Sequence, residues 1–76
     1  MENLLIAIVN GLVEKKEDIN ITVSTDSDDI TVYHIHTAQE DVGRVIGKNG
    51  KIIHAIRTIM RAAASKRGMR ILVEVE

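Results

Sequence analysis

The segment that decides the fold is Val45-Ile46-Gly47-Lys48-Asn49-Gly50-Lys51-Ile52-Ile53, which joins two predicted helices. Residues Thr37 to Ile46 predict the first of these helices, and residues Lys51 to Arg67 predict the second. Gly47 takes a positive φ at no steric cost, so it ends the first helix. Gly50 carries no side chain, so another backbone can approach the start of the second helix. We call residues 47–50 the elbow.

The elbow has the properties of an anion-binding site. The start of a helix presents N–H groups without intrahelical partners, together with the positive end of the helix macrodipole. Lys48 and Lys51 add positive charge on either side. The anion that this combination predicts is a phosphodiester.

The elbow and its flanks resemble the signature of a KH domain. The matching residues are Gly43-Arg44-Val45-Ile46-Gly47-Lys48-Asn49-Gly50-Lys51-Ile52-Ile53, and in KH domains the Gly-x-x-Gly loop clamps single-stranded nucleic acid by its backbone. The longer segment 41–59 is similar to the bacterial single-KH proteins of the KhpA family, and the resemblance covers nearly the whole chain. It implies that residues 1–76 form a single KH domain of type II.

The hydrophobic pattern of the remaining chain predicts one more helix and three strands. The helix covers residues 2–16, and the strands cover Ile19–Thr25, Ile30–Thr37 and Arg70–Glu76. The first two strands are antiparallel, while the two helices of the elbow connect parallel neighbours. The predicted fold class is therefore α/β, more narrowly α+β. Its order is α-β-β-α-α-β, with a three-stranded mixed sheet and the helices packed on one face.

The first and the third predicted helices each leave a question open. Apolar residues of the first helix recur at helical spacing and form a stripe, and further apolar residues lie outside this stripe. The first helix therefore either packs deeply in the core or also contacts another subunit. Thr37-Ala38-Gln39-Glu40 has the form of a capping box and starts the second helix. In the third helix, the arc predicted to face the sheet comprises Ile53, Ile56, Met60, Ala63 and Ala64. Ile52 and Ile59 lie at the edge of this arc. Either Ile52 forms the floor of a groove and Ile59 contacts another subunit, or both are simply more deeply buried. The first helix's stripe consists of Leu4, Leu5, Ile8, Leu12 and Val13, and the residues outside it are Ile6, Ala7 and Val9.

Charge is segregated along the chain. Residues 1–42 carry nine acidic and two basic side chains, a net charge of −7, and residues 43–76 carry eight basic and two acidic ones, a net charge of +6, which gives −1 overall. The basic half begins next to the elbow. Segregation of this kind predicts a one-sided positive face, as in proteins that bind nucleic acids. Solvated lysines and arginines on ordinary helices are the alternative explanation.

Composition and spacing argue against several other kinds of site. The chain has no cysteine, which excludes thiolate metal sites and fits a cytoplasmic protein. His34 and His36 lie two apart on one strand face, a spacing that can chelate a metal. No third ligand is evident, so we expect both histidines to face solvent. The acidic turn Asp26–Asp29 lacks the ligand pattern of a calcium loop. No metal or cofactor is therefore predicted.

Membrane insertion, catalysis and aromatic base-stacking are also not expected. The apolar run 4–9 is too short to span a bilayer. No triad or pair of carboxylates can be placed around a pocket, so we predict no enzyme activity and no small-molecule substrate. Tyr33 is the only aromatic residue, which disfavours RNA-binding modules that stack bases on aromatic side chains.

The predicted function is binding of single-stranded RNA with low sequence specificity. The elbow backbone would hold about four nucleotides, the basic side chains would offset phosphate charge, and the isoleucines would offer bases an apolar floor. Arg61 would extend the positive surface, and Ile53 is a further floor residue unless it belongs to the core. The residues assigned to the nucleic-acid site are Arg44, Ile46, Gly47, Lys48, Asn49, Gly50, Lys51, Ile52 and Arg57.

The resemblance also implies partners. In the KhpA family, proteins self-associate or pair with a larger KH-containing protein called KhpB or Jag. Roles in RNA chaperoning, post-transcriptional regulation and control of cell elongation follow from the same resemblance. A homodimer or such a heterodimer would compensate for the few contacts of one groove. The alternative function is a protein-interaction adaptor with a KH-like fold and no direct RNA role. The basic residue Lys48 favours RNA binding over this alternative.

Overall fold

A computed structural model describes residues 1–76, which form three helices and three strands. In chain order the elements are α1 (Glu2–Asn10), β1 (Asn20–Thr25), β2 (Thr31–His36), α2 (Val42–Ile46), α3 (Lys51–Lys66) and β3 (Ile71–Val75). Short 3-10 turns lie at Lys16–Asp18, Gln39–Asp41 and Lys48–Gly50. The α-β-β-α-α-β order of a type II KH fold is thereby confirmed.

The three strands form one mixed sheet in the order β1-β2-β3, as predicted. Strand β1 pairs antiparallel with β2, and β2 pairs parallel with β3. The turn between β1 and β2 is shaped by Asp26, whose Oδ1 accepts the N–H groups of Asp28 and Ile30 at 2.9 and 3.0 Å. Such side-chain bonds to nearby backbone are what an aspartate-rich turn predicts.

One face of the sheet carries the core, and all three helices contribute to it. The buried residues on this face are Ile21, Tyr33, Ile35, Ile71 and Val73. The opposite face carries the two histidines of β2, as predicted, but both are half-buried rather than freely exposed to solvent. The Nε2 atoms of His34 and His36 lie 3.0 and 3.1 Å from the hydroxyls of Ser24 and Thr22.

Helix α3 packs on the sheet through the arc that its periodicity predicts. Ile53, Ile56, Met60 and Ala64 are buried, whereas Ala63 is half-buried. Truncating one of the larger of these to alanine costs ~2–5 kcal/mol in comparable cores. No helix of the structure is both long and apolar enough to cross a membrane.

Helix α1 is shorter than predicted and buries a different stripe. It ends at Asn10 rather than at residue 16. Beyond it, the ammonium group of Lys16 donates to the carbonyls of Asn10 and Val13 at 2.9 and 2.8 Å, so it binds the carbonyl at the end of the helix and one in the turn that follows. The buried residues of the helix are Leu5 and Val9, whereas Leu4 and Ile6 are 39% and 37% exposed.

The predicted capping box at residues 37–40 is wrong. The hydroxyl of Thr37 donates to the carbonyl of Ala38 at 3.1 Å. The carboxylate of Glu40 pairs instead with Lys15, at 2.7 Å. Because residues 39–41 form a 3-10 turn, α2 begins only at Val42, and it has no side-chain cap.

Candidate nucleic-acid interface

The elbow reverses the chain through three residues with positive φ. Gly47 has φ 76° and ψ 171°, Asn49 has φ 58° and ψ 25°, and Gly50 has φ 74° and ψ 15°. The N–H of Gly47 donates to the carbonyl of Gly43 at 2.8 Å, which closes α2. The prediction that Gly47 ends the first helix of the elbow is therefore confirmed.

The two glycines of the elbow are required for different reasons. A Cβ atom added to Gly47 would lie 2.5 Å from Cγ1 of Ile52, so Ile52 is packed against the bare main chain of this glycine. A Cβ atom added to Gly50 would meet only Cγ2 of Ile53, at 3.9 Å. Gly47 is therefore required both for its backbone conformation and for its contact with Ile52. Gly50 is required only for its backbone conformation, and the space beside it is open.

Two N–H groups at the start of α3, which we expected to be unpaired, are bonded to nearby carbonyls. The N–H of Gly50 donates to the carbonyl of Gly47 at 3.1 Å, and the N–H of Lys51 donates to the carbonyl of Lys48. These two amides complete a 3-10 turn and are not free for an anion. The positive character of the site therefore depends more on the lysine side chains than the sequence indicated.

The lysines in and directly after the elbow are exposed and unpaired. Lys48, Asn49 and Lys51 all lie on the surface. None of the ion pairs or side-chain hydrogen bonds of the chain involves them, and no carboxylate is bound at the elbow. A polyanion can therefore reach the elbow without displacing a side chain of the protein.

Arg44 lies on α2, which precedes the elbow, and its charge is already offset. Its guanidinium donates to Glu14 Oε1 at 2.7 Å and to Asp41 Oδ1 at 3.2 Å. The sequence assigned Arg44 to phosphate, but the structure holds it between two carboxylates. Its contacts join the loop after α1 to the start of α2, which is a positioning role.

Asp41 is the buried charge of this region, and sequence reasoning missed it. It is 0% exposed, and its carboxylate accepts the N–H groups of Glu14 and Lys15 at 3.1 and 3.0 Å. The N–H of Lys15 contributes most to lowering the pKa of Asp41; the N–H of Glu14 and the guanidinium of Arg44 act in the same direction, and burial opposes them. Its partners are 26 and 27 residues away, so no local motif could have revealed the contact.

The isoleucines around the elbow divide between surface and core. Ile46 is 36% exposed and offers an apolar surface next to Gly47. Ile52 is half-buried against Gly47. Ile53 is 6% exposed and belongs to the core cluster, which settles its two predicted roles in favour of the core.

Helix α3 contacts strand β3 at the free edge of the sheet. Strand β3 bonds to β2 through alternate residues, with the N–H of Thr31 donating to Arg70 and the N–H of Glu76 donating to Ile35. The carbonyl of Val73 points the other way and accepts Nε of Arg57 at 3.0 Å. Arg57, which the sequence assigned to the nucleic-acid site, is thus half-buried and joins α3 to the free edge of β3, and Arg61 lies one helical turn further along.

Comparisons with known proteins match nearly the whole chain to one family. The model of the family described as KhpA/KhpB, KH domain, matches residues 2–75. The chain is 43% identical to the RNA-binding protein KhpA of Listeria monocytogenes strain EGD-e, over 99% of this chain and 97% of the relative. It is 37% identical to the RNA-binding protein KhpA of Clostridium perfringens strain 13, over 99% of both chains. No solved structure gives a significant match. The chain therefore belongs to the KhpA/KhpB KH-domain family.

Proposed function

We propose that this chain binds single-stranded RNA in the cytoplasm by laying the RNA backbone along the elbow. The observation that carries the proposal is the elbow itself. Its main chain at Gly47 and Gly50 has no side chains, and the side chains beside it, Lys48, Asn49 and Lys51, are exposed. Relatives across nearly their full length are named as RNA-binding proteins, which supports the same conclusion.

The mechanism follows from the shape and charge of the elbow. Main chain at Gly47 and Gly50 lets a sugar-phosphate backbone approach closely, and the two lysines offset phosphate charge. Exposed Ile46 provides apolar contact for a base at one side. Contacts to the backbone carry no sequence information, so we expect low base preference. The proposal is for binding rather than catalysis.

The test is a double substitution at the elbow, Lys48→Asp with Asn49→Asp. Binding to a fluorescein-labelled eight-nucleotide RNA is followed by anisotropy at fixed salt. We expect loss of at least about tenfold in affinity, because two new carboxylates repel phosphate where a lysine had attracted it. The matched control is Asn3→Asp with Lys66→Asp, which makes the same change in net charge at exposed positions of α1 and α3.

Equal loss in both double variants would show that only net charge matters and would refute the elbow assignment. Unchanged binding in the elbow variant would refute it as well. In either case the adaptor function becomes the better account. Circular dichroism and urea unfolding establish that both variants are folded, so that a loss of binding is not a loss of structure.

A second groove is part of the proposal. One elbow makes few contacts, and its affinity is expected to be modest and sensitive to salt. Pairing with a second copy, or with a larger KH protein of the KhpB or Jag type, adds a groove at high effective concentration. Exposed apolar side chains on two helices support such pairing, since Leu4, Ile6 and Ile59 are 39%, 37% and 48% exposed.

Light scattering across a dilution series tests self-association. We expect a dimer that dissociates on dilution, and we expect Ile59→Glu to shift it towards the monomer. Ser65→Glu adds the same charge to another exposed position of α3 and serves as the control. A monomer at all concentrations would leave pairing only with a different protein. RNA chaperoning and post-transcriptional regulation extend the proposal on the strength of the family resemblance.

A further inference from the structure

The elbow contains an asparagine that is followed directly by a glycine, the pair Asn49-Gly50. In such a pair the main-chain nitrogen of the glycine can attack the side-chain amide of the asparagine, because glycine has no side chain that blocks the approach. A second pair of this kind, Asn10-Gly11, lies at the end of α1. The same reaction is therefore open to two asparagines in different surroundings.

Asn49 lies in a turn at the surface that two backbone hydrogen bonds hold closed. The N–H of Gly50 donates to the carbonyl of Gly47, and the N–H of Lys51 donates to the carbonyl of Lys48. Because Asn49 and Gly50 both have positive φ, 58° and 74°, the second bond closes a type I′ turn. At ψ 25° the nitrogen of Gly50 lies on the far side of the Cα–C bond from the side chain of Asn49. The attack therefore requires the turn to open first.

Little opposes that opening. The side chain of Asn49 is exposed, and none of the side-chain hydrogen bonds of the chain involves it. Space beside Gly50 is open, since an added Cβ would meet only one atom, at 3.9 Å. Local openings are frequent where few buried contacts and only exposed hydrogen bonds are lost.

Asn10 is held more firmly. It is the last residue of α1, and the N–H of Gly11 donates to two carbonyls of the preceding helical turn, at 3.2 and 3.3 Å. Val9 and Val13, on either side of the pair, are both buried in the core. Opening the chain at Asn10 disturbs these core contacts, whereas opening the turn at Asn49 moves mainly exposed residues. Asn49 should therefore react first.

We propose that Asn49 is a deamidation site, and that its conversion to aspartate or isoaspartate weakens the binding of RNA at the elbow. This inference rests on the proposed function. Hydroxide takes the proton of the Gly50 amide, the nitrogen bonds to Cγ of Asn49, and the Cγ–NH2 bond breaks as ammonia leaves with a proton from water. Water then opens the resulting succinimide at either carbonyl. The balance is one water consumed and one ammonia released, with no redox partner.

The product and RNA affect each other in opposite ways. Deamidation puts a carboxylate between Lys48 and Lys51, and isoaspartate also lengthens the main chain of the turn by one carbon atom. Both changes oppose a phosphate that lies on the elbow. RNA that binds only the closed turn in turn suppresses its opening by a factor of one plus the ratio of RNA concentration to Kd, which is about tenfold when RNA stands at ten times Kd.

The test follows deamidation by mass spectrometry of peptides from the wild-type chain, incubated at mildly alkaline pH with and without the fluorescein-labelled eight-nucleotide RNA at about ten times its Kd. We expect Asn49 to deamidate at least about threefold faster than Asn10. RNA should slow the reaction at Asn49 about tenfold and leave Asn10 unchanged. A rate at Asn49 no greater than that at Asn10 would overturn the inference while leaving RNA binding intact.

A second arm measures the effect of the product on affinity. Asn49→Asp carries the new carboxylate in the elbow, and Asn10→Asp carries the same charge at an exposed position of α1. We expect Asn49→Asp to weaken RNA binding at least about threefold more than Asn10→Asp does, the effect of one like charge a few ångströms from a phosphate. Equal affinities of the two variants, together with deamidation of Asn49 that RNA does not slow, would instead refute the proposed function, so the two failures are distinguishable.

Discussion

Replacing Gly47 by alanine tests whether the shape of the elbow depends on this one glycine. With φ 76° and ψ 171°, the residue lies in a region that is essentially restricted to glycine, where another residue costs ~1–3 kcal/mol. The new Cβ would also lie 2.5 and 2.8 Å from Cγ1 and Cβ of Ile52, and forcing apart a well-packed contact costs another ~1–3 kcal/mol. Gly47→Ala should therefore lower the free energy of unfolding by about 2–6 kcal/mol.

A loss of this size is a large part of the stability of so short a chain. At ~0.05–0.15 kcal/mol per residue, a chain of this length has a free energy of unfolding of about 4–11 kcal/mol. Urea unfolding followed by far-ultraviolet circular dichroism measures the loss. Fluorescence of Tyr33, the one aromatic residue and 5% exposed, gives a second probe of the same transition.

Two other glycines of the same region serve as matched controls. A Cβ on Gly43 would have no atom within 4 Å, and the residue is helical, so Gly43→Ala should stabilise by ~0.5–1 kcal/mol. Gly50 has φ 74° and ψ 15° but open space, so Gly50→Ala should cost only the ~1–2 kcal/mol of a left-handed conformation. From the most to the least stable, the expected order is Gly43→Ala, wild type, Gly50→Ala and Gly47→Ala.

The double variant Gly47→Ala with Ile52→Ala separates the two contributions to the loss. Shortening Ile52 removes the atoms that the new Cβ would meet, so the double variant should be more stable than the sum of the single changes predicts. A result for Gly47→Ala within about 0.5 kcal/mol of Gly50→Ala would refute the contact argument. If Gly47→Ala changed the free energy of unfolding as Gly43→Ala does, the argument from backbone conformation would be refuted too.

Four further predictions concern charge. Asp41→Asn should reduce the folding equilibrium constant by about tenfold to a hundredfold at pH 7, because the two N–H groups bond to different carboxylate oxygens and the NH2 group that replaces one oxygen cannot accept. Urea titration measures the loss, and a loss no larger than that of Lys15→Ala would contradict the prediction. Because the pKa of Asp41 is lowered in the folded chain, the advantage of the wild-type chain over Asp41→Asn should be complete above the unfolded-state pKa of about 4 and shrink as pH falls through the lower folded-state value. Lys15→Ala, which breaks the exposed pair with Glu40, should leave the urea midpoint unchanged within error, and a clear shift would show that the pair is not merely superficial. RNA affinity should fall linearly with the logarithm of salt concentration, with a slope of about −0.7 for each phosphate contacted, and a flat dependence would contradict a backbone-binding elbow.

Sequence reasoning located the elements whose determinants are local. The arc of α3 and the turn at residues 26–29 follow from spacing and from side chains that bond nearby backbone, and both agree with the structure. The end of α1 was misjudged because Lys16 reaches back to carbonyls of residues 10 and 13. The capping box failed because Glu40 has a distant partner, Lys15, that competes for its carboxylate. Arg44 was assigned to phosphate because a basic residue near the elbow gives no sign of Glu14, thirty residues away.

The contacts that the sequence did not reveal bear directly on how the elbow would bind. Ile52 packs against Gly47 from one side, and Asp41 with Arg44 fixes the start of α2 on the other. The main chain between them is therefore held in its shape before any ligand arrives. A preorganised loop loses little conformational entropy on binding, so more of the energy of each phosphate contact is retained as affinity. The two lysines, in contrast, are unpaired and free to follow the phosphates of different sequences, which is the combination that a sequence-tolerant site requires.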